Sequence, residues 1–227
     1  NVYHVQISLD GSNSKIHDSI RGAGTFEKSI RGIKNLVKEG ISTSIRTTIN
    51  RFNKDDVLNI FKLAEKLKVE RFSIGRTVNY GRAYLNQTNL NIAPREYLEI
   101  IARCFKYAEN SKIDFYCTDP LKILAYPKLL ERVQRKSNKN ILSGCIAGIA
   151  QFFITCEGKV TGCGVLKTIA GDAREKSLRE IWDNSSHFKE VRERRIKRDL
   201  NLKCNNCEYI LLCGGCRASA EAMGDFF

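Results

Sequence analysis

Hydrophobic and polar positions alternate along Val2–Leu9. Val5, Ile7 and Leu9 share one face and Gln6, Ser8 and Asp10 the other, which predicts a strand ended by Gly11. Residues 11–24 read as a loop containing His17, Asp18, Arg21, Gly22 and Gly24. The period then lengthens. Phe26, Ile30, Ile33 and Val37 recur at helical spacing, with Thr25 placed to cap the helix and Gly40 to close it. Thr43–Ile49 predicts a second strand, with Thr43, Ile45, Thr47 and Ile49 on one face and Arg46 on the other. Asn53 is placed to cap a helix whose buried stripe is Val57, Ile60, Phe61, Ala64 and Leu67. Asp55 and Asp56 suit the dipole of its first turn. Arg71–Ile74 predicts a third strand, Pro94 opens a helix carrying Tyr97, Leu98, Ile101, Ala102 and Phe105, and Ile113–Cys117 predicts a short strand. Strands and helices alternating over short connections imply a parallel sheet with right-handed crossovers. Leu121–Val133 reads as helical and Arg135–Asn140 as a polar linker.

Beyond residue 138 the texture changes, which divides the chain into domains 1–138 and 139–227. Gln151–Cys163 reads as a hairpin turning at Glu157-Gly158. Ser177-Leu178-Arg179-Glu180 is a capping box ahead of Ile181-Trp182, and a helix is expected over Ser186–Lys197. With 42% hydrophobic residues the chain can bury a sizeable core. It has no apolar run near the roughly twenty residues of a membrane span and no signal-peptide pattern, so the expected compartment is the cytoplasm and no membrane partner is expected. The net charge of +13 concentrates in Lys189–Arg198. Glu190 and Glu193 interleave there and no aromatic platform accompanies the run, which favours a solvated helix face over a nucleic-acid interface.

Nine cysteines change the picture, because seven lie after residue 140. Cys204, Cys207, Cys213 and Cys216 are spaced C-x2-C-x5-C-x2-C, which directs paired thiolates toward a common metal centre, and Gly214-Gly215 permits a tight turn beside a bulky ligand. Zinc and iron–sulfur both remain open on this spacing alone. A zinc-ribbon-like module binding nucleic acid is the alternative function, but it leaves Cys145 and Cys163 without a role. Isolated Cys104 and Cys117 read as packing residues, and His17 beside Asp18 as a hydrogen-bonded loop staple.

Adding Cys145, Gly158 and Cys163 gives C-x12-G-x4-C ahead of the four-cysteine stretch. With Gly171-Asp172, Ser177-Leu178, Ile181-Trp182 and Cys213-Gly214-Gly215-Cys216-Arg217-Ala218, this resembles the SPASM domain of radical S-adenosylmethionine (SAM) enzymes. Ser8-Leu9-Asp10-Gly11, His17-Asp18, Arg21-Gly22 and Gly24-Thr25-Phe26 resemble a segment of the radical SAM barrel in the same family. The resemblance implies an α/β fold: the later part of a partial (β/α)6 barrel, then a small cysteine-rich α+β SPASM domain, truncated at its C-terminus. It implies two auxiliary [4Fe-4S] clusters, one on Cys145, Cys163 and Cys216, the other on Cys204, Cys207 and Cys213. Cys156 is a candidate fourth ligand of the first. It also assigns Ser8 and Asp10 to the ribose hydroxyls of SAM and Arg46 to its methionine carboxylate, with capping of the following loop as the other reading of Asp10.

The family's catalytic cluster is held by C-x3-C-x2-C, and this sequence has no such triplet. No catalytic residue is therefore assigned within it, and the chain by itself is expected to be inactive. What the resemblance implies for the whole enzyme is an oxidoreductase or maturase that cleaves SAM reductively and abstracts a substrate hydrogen. Its auxiliary clusters would carry electrons or anchor the substrate. The expected substrate is a peptide or protein, with a tetrapyrrole next, and the expected electron donor a ferredoxin or flavodoxin. A truncated, non-catalytic relative that binds a peptide is a further alternative.

Overall fold

The computed structural model describes residues 2–78, 80–126, 128, 144–197, 206–207 and 209–222. They form two compact units. One comprises the chain up to Thr77 with Gly81–Tyr126, the other Val78–Tyr80 with the remainder. The expected boundary at 138 and the linker Arg135–Asn140 lie outside the described residues.

The first unit is a parallel sheet of β1 (His4–Ser8), β2 (Ser42–Ile49), β3 (Arg71–Arg76) and β4 (Asp114–Cys117), in that spatial order. Its connections carry α1 (Ser14–Arg21), α2 (Thr25–Lys38), α3 (Val57–Lys66), α4 (Arg82–Leu85), α5 (Gln87–Leu90) and α6 (Pro94–Ala108), and α7 (Lys122–Ala125) follows β4. The register aligns Ile7, Ile45, Phe72 and Phe115 in one row across all four strands. Helix residues Ile33, Ile60, Phe61 and Ile101 are fully buried in the same core, and Phe61 sits 4.8 Å from Phe72 and 5.2 Å from Phe115 between ring centroids. Each such side chain contributes about 1.5–3 kcal/mol on burial. A slip of one residue would turn this row outward, so the core itself sets the register.

Three local expectations are corrected. Residues 14–21 form a helix, not a loop: the Asn13 side chain accepts from the Ile16 amide at 3.1 Å and nucleates it, though its apolar stripe is too short to show as periodicity. Thr25 is the first residue of α2, not its cap. Asp18 does that work, accepting from the Gly24 and Phe26 amides at 2.8 Å each. Asn53 is a loop staple, not a helix cap. It accepts from the Asn50 amide and donates to the carbonyls of Asp10 and Thr48, while α3 starts only at Val57. The helix expected over Leu121–Val133 is described only as α7, ending at an extended Tyr126 just before Pro127.

The second unit contains an antiparallel sheet, β5 (Phe153–Ile154), β6 (Lys159–Thr161) and β7 (Ile169–Asp172), with β5 and β6 forming the expected hairpin. Helices α8 (Leu178–Asn184), α9 (Ser186–Lys197), α10 (Ile210–Cys213) and α11 (Arg217–Ala222) follow. Ser177 caps α8 by accepting from the Glu180 amide at 3.1 Å. A Cβ on Gly171 would lie 2.9 Å from Ile181, so glycine there lets α8 settle onto β7. Val160, Ile181 and Phe188 form the core beneath.

His17 links the loop after β1 to α1. It is fully buried, its Nδ1 accepts from the Asp10 amide at 3.1 Å, and its Nε2 has no hydrogen-bond partner. Burial pushes its pKa below the ordinary value. Asp10 and Asp18 oppose that shift and Arg21 adds to it. As pH falls below about 6.5, the unfolded chain takes up a proton here that the folded chain resists, so stability declines toward acid. His17→Gln should flatten this decline below about pH 6.5 in thermal unfolding. An unchanged pH profile would contradict the assignment.

Candidate cofactor sites

The opposite face of the first sheet is polar. Register places Ser8, Arg46, Ser73 and Tyr116 in one line across it. Ser8 and Arg46 are half-buried, and Ser73 is buried with its hydroxyl donating to the Ile45 carbonyl at 3.3 Å. Asp10 follows just past β1, buried. Its carboxylate accepts from Arg21 Nε at 2.6 Å and from the Thr48 amide at 2.8 Å. Both Asp10 oxygens are thus engaged by protein donors that pin the loop after β1.

Arg46 differs from the other arginines of this unit's strands and of α1. Arg21, Arg71 and Arg76 pair with Asp10, Asp114 and Asp119. Among the described residues no carboxylate pairs with Arg46, and its Nη2 donates to the Thr118 hydroxyl at 3.2 Å. A half-buried guanidinium without a protein anion suits a ligand carboxylate, and Ser8 beside it suits ligand hydroxyls. The row is therefore compatible with an amino-acid headgroup joined to a sugar.

In the second unit, Cys145, Cys163 and Cys216 pack on one small core of Ala147, Leu166 and Ala218, although they are far apart in sequence. Two close approaches bring them there. Gly144 (φ 98°) lies where a Cβ would sit 2.2 Å from the Cys213 carbonyl oxygen, so the backbone just before Cys145 runs against that of Cys213–Gly214. Gly214 and Gly215 both hold left-handed φ values, 59° and 64°, a pair that side chains would strain. Arg217, buried beside them, donates to the Cys145 carbonyl at 3.3 Å. Among the described residues no three His, Cys, Asp or Glu side chains close on a point as around a single ion, so what converges is the loops that carry Cys145, Cys163 and Cys216.

The remaining cysteines are placed differently. Cys213 is half-buried at the end of α10, Cys207 is exposed, and Cys204 lies outside the described residues. Cys156 is exposed at the hairpin turn, with its thiol hydrogen-bonded to Glu157 at 3.0 Å, and that bond and charge push its pKa up. It is not among the residues of the Ala147 core. Cys104 and Cys117 are buried in the first unit's core, and burial pushes their thiols up to about 12 and about 11, which suits packing and not ligation.

The profile of the radical SAM superfamily matches residues 1–64, and that of SPASM, an iron–sulfur cluster-binding domain, matches residues 145–208. Residues 1–64 are thus a radical SAM segment and residues 145–208 a SPASM segment. The chain is 30% identical to the AdoMet-dependent heme synthase of Methanosarcina barkeri, over 99% of this chain and 65% of that protein. It is 32% identical to that of Nitratidesulfovibrio vulgaris, over 98% and 62%. The chain thus spans less than two thirds of the length of these relatives. Among solved structures, Streptococcus suis SuiB matches with a TM-score of 0.71 when bound to S-adenosylmethionine and 0.69 when bound to its precursor peptide SuiA. Both are 19% identical and cover 99% of this chain and 52% of that chain, a likeness of fold.

Two arginines of the second unit, Arg174 and Arg192, have roles that the sequence did not show. Gly158 (φ 78°) lies under the Arg174 side chain, which pairs with Asp172, so two motif residues, Gly158 and Asp172, anchor the hairpin together. Arg192, in the basic run, turns inward. It lies 4.4 Å over the Trp182 ring and donates from Nε to the Gly148 carbonyl at 3.0 Å, bracing the turn after Cys145. Among the described residues Lys189 and Glu193 are exposed and Arg194 pairs with Glu190 at 3.0 Å, which is the surface character expected of that run. Arg192→Leu, which removes the cation and the hydrogen bond but keeps apolar bulk, should cost about 1–2 kcal/mol in urea unfolding of the apoprotein. A change within error would assign Arg192 to the solvated face instead.

Proposed function

We propose that the protein containing this chain is a radical SAM/SPASM oxidoreductase that modifies a tetrapyrrole. The observation that carries the reading is the convergence of Cys145, Cys163 and Cys216 on one small core, in a chain whose other unit presents Arg46 without a protein anion. The tetrapyrrole is supported by the 30–32% identity to heme synthases, which runs through both units. In this reading Arg46 binds the methionine carboxylate of SAM, Ser8 orients a ribose hydroxyl, and Asp10 acts mainly by fixing the loop between them. Cys145, Cys163 and Cys216 hold one auxiliary [4Fe-4S] cluster, and Cys204, Cys207 and Cys213 hold part of the other. Cys156 is a weaker candidate for a fourth ligand, since its thiol is engaged by Glu157. When bound, SAM and a reduced cluster supply a hydrogen-abstracting radical, and the auxiliary clusters supply one-electron acceptors. The Ala147–Leu166–Ala218 core excludes water from one side of that ligand set. A low-potential donor such as ferredoxin or flavodoxin would deliver electrons, in the cytoplasm.

A second reading, modification of a peptide, is supported by the fold shared with SuiB, whose structure is known with its precursor peptide. The intact protein, reconstituted anaerobically, should be brown and contain sulfide, and with a reductant it should release 5′-deoxyadenosine. Deuterium placed on the side chains of an iron tetrapyrrole should appear in that product. Transfer from a peptide and none from tetrapyrroles would replace the first reading with the second, and a colourless zinc protein would overturn both.

A further inference from the structure

The guanidinium of Arg46 reaches its position by crossing β3 where that strand has no side chain. Gly75 lies two residues beyond Ser73, on the same polar face, and pairs with Thr48. A Cβ there would lie 2.9 Å from Arg46 Nη2 and 2.6 Å from Thr118 Oγ1. Both distances are closer than real Cβ atoms come, and φ at this glycine lies outside the left-handed region, so the missing side chain provides space and not backbone freedom.

Across that gap stands Thr118, just past β4. Its amide donates to the Ile74 carbonyl at 2.9 Å and its hydroxyl donates to the same oxygen at 3.2 Å. With its proton committed there, the hydroxyl presents a lone pair to Arg46 Nη2 at 3.2 Å. The next guanidinium along β3, Arg76, is neutralised by buried Asp119 at 2.9 Å and does not compete for an anion.

We infer that Gly75 and Thr118 are positioning residues that hold the Arg46 guanidinium flat across β3 and thereby set the preference for a ligand bearing a carboxylate. A flexible arginine would attract many anions. One anchored through Nη2 presents its remaining N–H donors in a fixed fork, the geometry that matches a carboxylate with two oxygens. The inference rests on the reading of Arg46 as the carboxylate contact.

The test measures equilibrium binding to the intact, anaerobically reconstituted protein. The probes are SAM and decarboxylated SAM, which carries the same sulfonium and nucleoside but no carboxylate. Thr118→Val removes the acceptor and keeps the shape, Thr118→Ser restores it, and Gly75→Ala fills the gap. The valine and alanine variants should each weaken SAM binding about fivefold or more while changing decarboxylated SAM by less than about twofold, and the serine variant should bind like the parent. Equal losses for both ligands, or unchanged SAM affinity, would overturn the inference. Arg46→Met separates the two layers. If it abolishes the preference for SAM while Thr118→Val and Gly75→Ala keep it, the positioning role falls alone. If Arg46→Met itself leaves the preference intact, the carboxylate reading falls and the inference with it.

Discussion

The parallel register between β1 and β2 decides which side chains of the first unit can meet a ligand. Leu9 donates its amide to the Arg46 carbonyl at 3.0 Å, and the Thr47 hydroxyl donates to the Leu9 carbonyl at 2.6 Å, so the two strands are locked where the chain leaves the sheet. With that pairing set, Ile45 must enter the aromatic core and Arg46 must leave it. The apolar row and the candidate SAM row are two faces of one constraint, and the burial energy of the first holds the second in line. Asp10 extends the lock beyond the strand end, binding Arg21 and the Thr48 amide while His17 holds its own amide.

The second unit solves a different problem with little sheet and few long helices. It uses glycines where chains approach each other: Gly144 against Cys213, Gly158 under Arg174, Gly171 against Ile181, and Gly148 at φ 70° against Phe188. Arginines then tie loops whose apolar content is too small to fix them. Arg192 braces the Gly148 carbonyl and Arg217 the Cys145 carbonyl. In a domain built to hold clusters, this leaves the cysteine loops assembled around a small core before any iron is considered.

Much of this was legible in the sequence, for identifiable reasons. Period-two alternation marked β1 and β2 and the face carrying Ser8 and Arg46, because one side of each strand packs apolar side chains on the core and the other carries polar ones. Cysteine spacing marked Cys145, Cys163 and Cys216, because thiolates at motif spacing have few other uses. Helix α1 was not legible, since its buried side chain is a histidine, and neither was the capping of α2 by Asp18, which lies six and eight residues before the amides it accepts from. Gly75 carried a weak signal, as a lone glycine inside a strand marks close approach of another group, but the group it admits, Arg46, is known only from the register. Arg192 was hidden by its company: six basic residues in ten suggest a solvated face, and only packing against Trp182 shows one of them turned inward.

The central claim is that Cys216 parts from its sequence neighbours and joins Cys145 and Cys163. Electron paramagnetic resonance of the reduced intact protein tests it directly through three variants, Cys145→Ser, Cys213→Ser and Cys216→Ser. The account predicts that Cys145→Ser and Cys216→Ser alter the same cluster signal and that Cys213→Ser alters a different one. A Cys216→Ser spectrum that changes with Cys213→Ser and leaves the Cys145-dependent signal intact would contradict it.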